Sequence, residues 1–395
     1  MLGVMLILLS VACGVAEESV EDGYINEENV YEVKTEEPED YDNYEYEEDV
    51  YDEYIYDYVY EDDAVIEIVH EPVIRDLYET LEFLPGFAVY YFDRLQAMWD
   101  EDDGEMWGVP LHVPVIIFCE EHNVVAASRP DEEGVLERIY VDGTAIYFGV
   151  KVLEKPNHFW SIYRGTWNGE IGAHMTLQLM ETPLTFYDEN LYPGSIQDAA
   201  IISLLTLNHY AMHIHQPHIM GMSGTGLFPG PGRGNIEFSM ILEINALVFA
   251  IESEDDAEKL AAVRDALSIR NARRYTYNTA TDENLWQLSE GMAIYTEINM
   301  LFSRNEIVEV IRHWPAYFLR LPNAQEVANF YGYLGGALYG ILLDDVGADW
   351  RYDLWRGADL GVILQEALGI TDLLPLSEID LERYGYSEIA ARVRG

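Results

Sequence analysis

The sequence predicts an α+β fold, β-rich in its first half and helical in its second, on three observations. Short apolar runs broken by turn residues fill 107–182. Stretches with helical spacing of apolar residues occupy the chain from Ser195 onward. Where one pattern gives way to the other, His209 and His213 stand four residues apart.

The 395-residue chain carries 72 acidic and 22 basic side chains, a formal charge of −50. Such a surface repels phosphate backbones and anionic headgroups, which argues against nucleic-acid binding and favours cationic partners or plain solubility. Met1–Ala16 is apolar and uncharged, too short to span a bilayer comfortably, and reads as a secretory leader. Leu9-Ser-Val-Ala-Cys13 resembles a bacterial lipobox that would leave Cys13 lipidated, whereas Gly14-Val-Ala16 suits ordinary signal peptidase. The expected location is therefore outside a bacterial membrane, secreted or held by a lipid at Cys13. Residues 17–69 read as an acidic, tyrosine-rich tether. Within it, 17–63 holds 22 acids against the single Lys34, and like-charge repulsion keeps it from condensing. A globular domain is expected over 70–395.

That domain opens with helical rhythm from Glu71 to Trp99, broken by Asp100-Glu-Asp-Asp-Gly104. Strand-like runs follow at 111–118, 124–127, 135–141, 145–152 and 171–180. Cys119 follows the first directly, in Val115-Ile-Ile-Phe-Cys119, a setting for a buried and inert thiol. Ser195 and Asp198 form a plausible capping pair for the histidine helix, and Pro217 predicts its end, leaving His218 beyond it. Apolar residues at 240, 241, 244, 247, 248 and 251 mark an amphipathic helix over 237–251. Further helices are expected at 255–274, 283–302, 306–320, 325–344 and 357–369.

His209 and His213, in Leu204-Leu-Thr-Leu-Asn-His-Tyr-Ala-Met-His-Ile-His-Gln216, project from one helical face, close enough to share a zinc ion. His215 points elsewhere, because two residues turn a helix by about 200°. The spacing is that of the zinc-peptidase signature His-Glu-x-x-His, whose glutamate activates metal-bound water. Here that position is Tyr210, and a phenol with a reference pKa near 10 is a poor base at neutral pH. The bland alternative is a pair of satisfied core histidines. A β-rich half followed by a paired-histidine helix and more helices is the order of zincin catalytic domains. The glycine-rich stretch Gly221–Gly234 matches neither a phosphate-binding loop nor a Gly-x-Ser-x-Gly elbow, and reads as a flexible loop at a cleft mouth.

Several stretches in order resemble a family of secreted bacterial zincin-like proteins of the His-Glu-x-x-His type. They are Trp99-Asp-Glu-Asp-Asp-Gly-Glu-Met-Trp-Gly-Val-Pro-Leu111, Val124–Gly134, His209–Gln216, Leu242-Glu-Ile-Asn-Ala-Leu247, Arg270-Asn-Ala-Arg273, Glu290-Gly-Met-Ala-Ile-Tyr295, Tyr333–Asp344 and Trp350-Arg351. The likeness spans about 85–390 and departs at Tyr210, at Met212 for a phenylalanine, and at Ile294 for a second acid. It implies a zincin-like metallopeptidase domain whose third zinc ligand is a carboxylate from a later helix. Glu290, followed by Gly291 and Ala293, resembles that third-ligand position, with Glu243 in reserve. Glu243 reads equally as a structural acid bonded to Arg270, Arg273 or a histidine. Tyr333 is a further candidate for holding a substrate oxyanion, or a core residue beside glycines. The functional expectation is a catalytically impaired metallopeptidase that binds a peptide or cell-envelope component. The alternative is an active zinc peptidase with a non-standard base.

Overall fold

The computed structural model describes residues 77–119, 122–151, 153, 162–177, 199–221 and 236–394. The apolar segment read as a leader, with Cys13, the acidic tract, the Ser195/Asp198 pair and the glycine-rich stretch after Gly221 lie outside the described residues. The architecture is α+β: a six-stranded mixed sheet, then a mostly helical second half.

Helix α1 (Leu77–Asp102) ends within the acidic run, and Asp103 and Gly104 leave it in the left-handed region. The strands are β1 (Val115–Cys119), β2 (Val124–Ala127), β3 (Glu137–Val141), β4 (Thr144–Val150), β5 (Ile162–Trp167) and β6 (Glu170–Leu177). Their order across the sheet is β3-β4-β2-β1-β6-β5. Only β1 and β6 run parallel, with Val115 opposite Ala173 and Ile117 opposite Met175. Two of the hairpins, β3–β4 and β5–β6, turn on residue pairs with positive φ, Asp142-Gly143 and Asn168-Gly169. That conformation matches the strand twist and suits Asn, Asp and Gly. The sequence reading lacked β5, although the Asn-Gly pair at its end is a strong short-range hairpin signal.

β1 and β2 are buried on both faces, which explains their unbroken apolar runs. Val115, Ile117, Ala173 and Met175 join the main core with α1 and the helices that follow, while Ile116, Phe118, Val125 and Trp167 pack together in a second cluster. Cys119 is fully buried at the end of β1, as its apolar setting implies.

The helices are α2 (Ala199–Met220), α3 (Ile236–Glu252), α4 (Asp256–Tyr277), α5 (Ala280–Trp286), α6 (Met292–Leu301), α7 (Arg304–Ile311), α8 (Trp314–Arg320), α9 (Ala324–Asp345), α10 (Leu360–Ala367) and α11 (Tyr386–Arg394). Two boundaries differ from expectation. Pro217 lies inside α2, which runs on to Met220 and closes with Gly221 in the left-handed region. Proline removes only its own N–H, and the Gly221 amide bonds the Pro217 carbonyl at 3.1 Å, so the helix keeps a last turn that contains His218. The single helix expected at 306–320 is α7 and α8, divided at Arg312 and His313, and Pro315 opens the second. Among the described residues no helix is long and apolar enough to cross a membrane.

α2 packs on β5 and β6 and against α6; α9 lies against α3, α6 and the segment joining α5 to α6. That joining segment, Gln287–Gly291, is a single π turn. Its close seating on α9 depends on glycines. A Cβ at Gly291 would lie 2.5 Å from the Gly336 Cα, and one at Gly336 would lie 2.5 Å from the Gln287 carbonyl oxygen.

Candidate metal centre

Helical spacing puts His209 and His213 one turn apart on α2, and both are buried, at 7% and 5% exposure. The π turn brings Glu290 to them from the facing segment. Glu290 Oε2 lies 3.3 Å from His213 Nε2 and 3.5 Å from His209 Nε2, and the two Nε2 atoms are 3.0 Å apart. These three are the one group among the described residues whose donors converge closely enough to hold a metal ion. Zinc bonds of about 2.0–2.1 Å in a tetrahedron require donor separations of about 3.3–3.4 Å. The observed triangle fits that requirement. A π turn inserts one residue into helical register and so re-aims the side chains it carries, a device found at functional sites.

The outer nitrogens decide the chemistry of the inner ones. His209 Nδ1 lies 3.1 Å from Glu297 Oε2, and His213 Nδ1 lies 2.9 Å from Gln216 Oε1. A carboxylate only accepts, so His209 carries its proton on Nδ1. Gln216 Nε2 donates to the carbonyls of Leu288 and Ser289, at 3.0 and 2.6 Å. That leaves its oxygen for His213, which must also donate from Nδ1. Both Nε2 lone pairs therefore point at each other and at a carboxylate. Such an arrangement is repulsive unless a positive charge lies between them, either a second proton on His209 Nε2 or a metal ion, and the donor set is of the kind that holds zinc. Left to protons alone, burial opposes charge on His209, but its bonds to Glu290 and Glu297 outweigh this and raise its pKa to about 9. Burial likewise pushes Glu290 up, yet the facing imidazoles His213 and His209 hold it well below the usual carboxylate range.

Two indoles brace this centre from the β-rich half. Trp99 Nε1 donates to Asn208 Oδ1 at 2.9 Å, beside His209 in sequence. Trp107 Nε1 donates to Thr296 Oγ1 at 3.0 Å, beside Glu297. The Trp107 ring meets Tyr295 and Trp350 edge-on, with the Arg351 guanidinium 4.6 Å above Trp350. Scattered stretches of the sequence motif set thus meet behind the three converging donors.

The remaining candidates separate clearly. Tyr210 is half-buried, its ring 5.8 Å from His209 and 6.3 Å from His213. Tyr333 is half-buried and stacks on His209, with centroids 6.3 Å apart and planes at 19°. Glu243 is not in the converging group. It is fully buried, 2.6 Å from Arg273 Nη1 and 3.4 Å from Arg270 Nη1, and accepts hydrogen bonds from Tyr331 and Tyr339 at 2.9 and 2.7 Å. Its bonds are those of a structural acid. His215 is partly buried and His218 exposed, and neither joins the three donors.

Glu297 and Gln216 carry roles that the sequence reading did not assign. Glu297 stands seven residues after Glu290, two turns on, in the apolar run Met-Ala-Ile-Tyr-Thr-Glu-Ile. An acid there is a signal in itself, because an unpartnered buried carboxylate is costly. No family model, curated protein or solved structure matches the chain.

Proposed function

We propose that the chain is a zincin-like protein that holds zinc through His209, His213 and Glu290, lacks the standard general base, and binds a peptide or cell-envelope component. The observation that carries this reading is the convergence of two Nε2 lone pairs and a carboxylate, with both tautomers fixed from outside by Glu297 and Gln216. Bound zinc would acidify a water molecule and polarise a carbonyl. Tyr210 occupies the position from which a glutamate would accept the proton, and loss of a positioned base costs about 10² to 10⁴ in rate. Glu243 offers no substitute base, since two arginines and two phenols occupy it. On this reading the protein lies outside a bacterial membrane, free or held by a lipid at Cys13. The charge of −50 favours a cationic partner over nucleic acid.

The test is substitution at position 210. Wild-type protein is expected to show no chelator-sensitive peptidase activity, and Tyr210→Glu to create it with zinc content unchanged. Cleavage by the wild type that disappears in His213→Ala would instead establish an active peptidase with a non-standard base.

A further inference from the structure

Gln216 touches both halves of the metal centre with one side chain. Its oxygen accepts from His213 Nδ1 at 2.9 Å, and its nitrogen donates to Leu288 and Ser289 carbonyls inside the π turn. Those carbonyls directly precede the ligand Glu290. The amide is buried at 6% exposure, so both ends act without competition from bulk water.

A second observation concerns the seating of the π turn. Gln287, its first residue, is fully buried, and neither Nε2 nor Oε1 has a hydrogen-bond partner among the described residues. Buried amides are almost always satisfied by protein or ordered water, so one that meets no protein partner is either strained or served by water. The Gln287 nitrogen is wedged against α9, where a Cβ at Gly335 would lie 3.0 Å from it. The turn also sits on Gly336 and Gly332, where a Cβ at Gly332 would overlap the Trp286 ring. The π register therefore brings Glu290 to the histidines while leaving the Gln287 amide without a partner among the described residues.

Building on the zinc reading above, we propose that Gln216 is a positioning residue that couples the register of the π turn to the metal-ready state of His213. Through it, zinc occupancy and ordering of 287–291 become one event. Glutamine alone among the twenty residues supplies an acceptor and two donors at this reach; glutamate would accept from His213 but set a carboxylate against two carbonyl oxygens.

The experiment compares Gln216→Met, which keeps the volume and neither bond, with Gln216→Glu, which keeps only the acceptor. Zinc affinity is read by competition with a chromophoric chelator, and amide exchange is followed over 287–293 against the amides of α9. Both variants are expected to bind zinc about 10–100-fold more weakly than wild type, the range for residues that orient ligands. Exchange over 287–293 should accelerate in both. Wild-type affinity in Gln216→Glu alone would overturn the coupling, because the acceptor would then suffice. Wild-type affinity in both variants would overturn any positioning role, even if exchange changed. A wild type that binds no zinc would overturn the underlying reading and this coupling with it.

Discussion

Replacing Glu243 by glutamine separates a structural acid from a metal ligand, and the structure sets the size of the effect. Glu243 is fully buried between Arg273 and Arg270, at 2.6 and 3.4 Å, and holds the phenols of Tyr331 and Tyr339. Glutamine keeps the volume and an acceptor for the phenols but removes one negative charge. Arg273 retains Glu283 at 2.8 Å and Arg270 retains Asp359 at 3.1 Å, so neither guanidinium is stranded. Breaking a buried ion pair costs about 3–5 kcal/mol, and the retained partners favour the lower end, about 3 kcal/mol. Against a total stability of about 5–15 kcal/mol, that is a large fraction. Urea unfolding followed by circular dichroism should show the midpoint fall by roughly 1 M, at a slope of about 3 kcal/mol/M. Zinc bound per folded molecule should not change. Glu290→Gln should do the opposite and lose zinc while the fold persists. A loss below about 1 kcal/mol, or zinc lost from folded Glu243→Gln protein, would refute the assignment of Glu243 to structure.

Removing Glu297, for example as Glu297→Gln, is expected to raise the zinc dissociation constant about 10–100-fold, because Oε2 no longer holds His209 as a full carboxylate; unchanged affinity would contradict its orienting role. Acid should attack the arginine network. Burial raises the Glu283 pKa, but Arg273 and Arg274 outweigh it and lower the value from 4.5 to about 2. A depressed carboxylate contributes stability that is complete above its unfolded pKa and drains away as pH falls from about 4.5 through about 2, about 3 kcal/mol in all. Asp359 is depressed in the same way, while burial raises Asp102, Asp265 and Glu326, whose protonation works in the opposite sense. The diagnostic is therefore the gap in urea midpoint between wild type and Glu283→Gln, which should narrow between pH 6 and pH 3; a constant gap would sink the argument.

Much of the centre was legible in the sequence because it rests on local rules. Four-residue spacing fixes His209 and His213 on one helical face, and the Gly-x-Ala after Glu290 marks a segment seated close to another. The two-way reading of Glu243, ligand or structural acid, needed the third dimension, since Arg270 and Arg273 reach it from another helix. Glu297 was hidden for a related reason. The resemblance puts a second acid at 294, but Ile294 is a core residue and the acid that meets His209 lies nearly a turn further on. The π turn leaves no local signature, because its register follows from contact with Gly332 and Gly336. Pro217 misled in the other direction: a proline marks a preferred helix end, and α2 tolerates it for one more turn.

Metal content is the measurement closest to the central claim. Protein purified without a histidine tag, equilibrated with zinc at neutral pH and desalted, is expected to carry close to one equivalent by elemental analysis. His213→Ala, folded by circular dichroism, should carry almost none. Less than about a tenth of an equivalent in the wild type would contradict the account, since zinc sites of this type bind far more tightly than that implies.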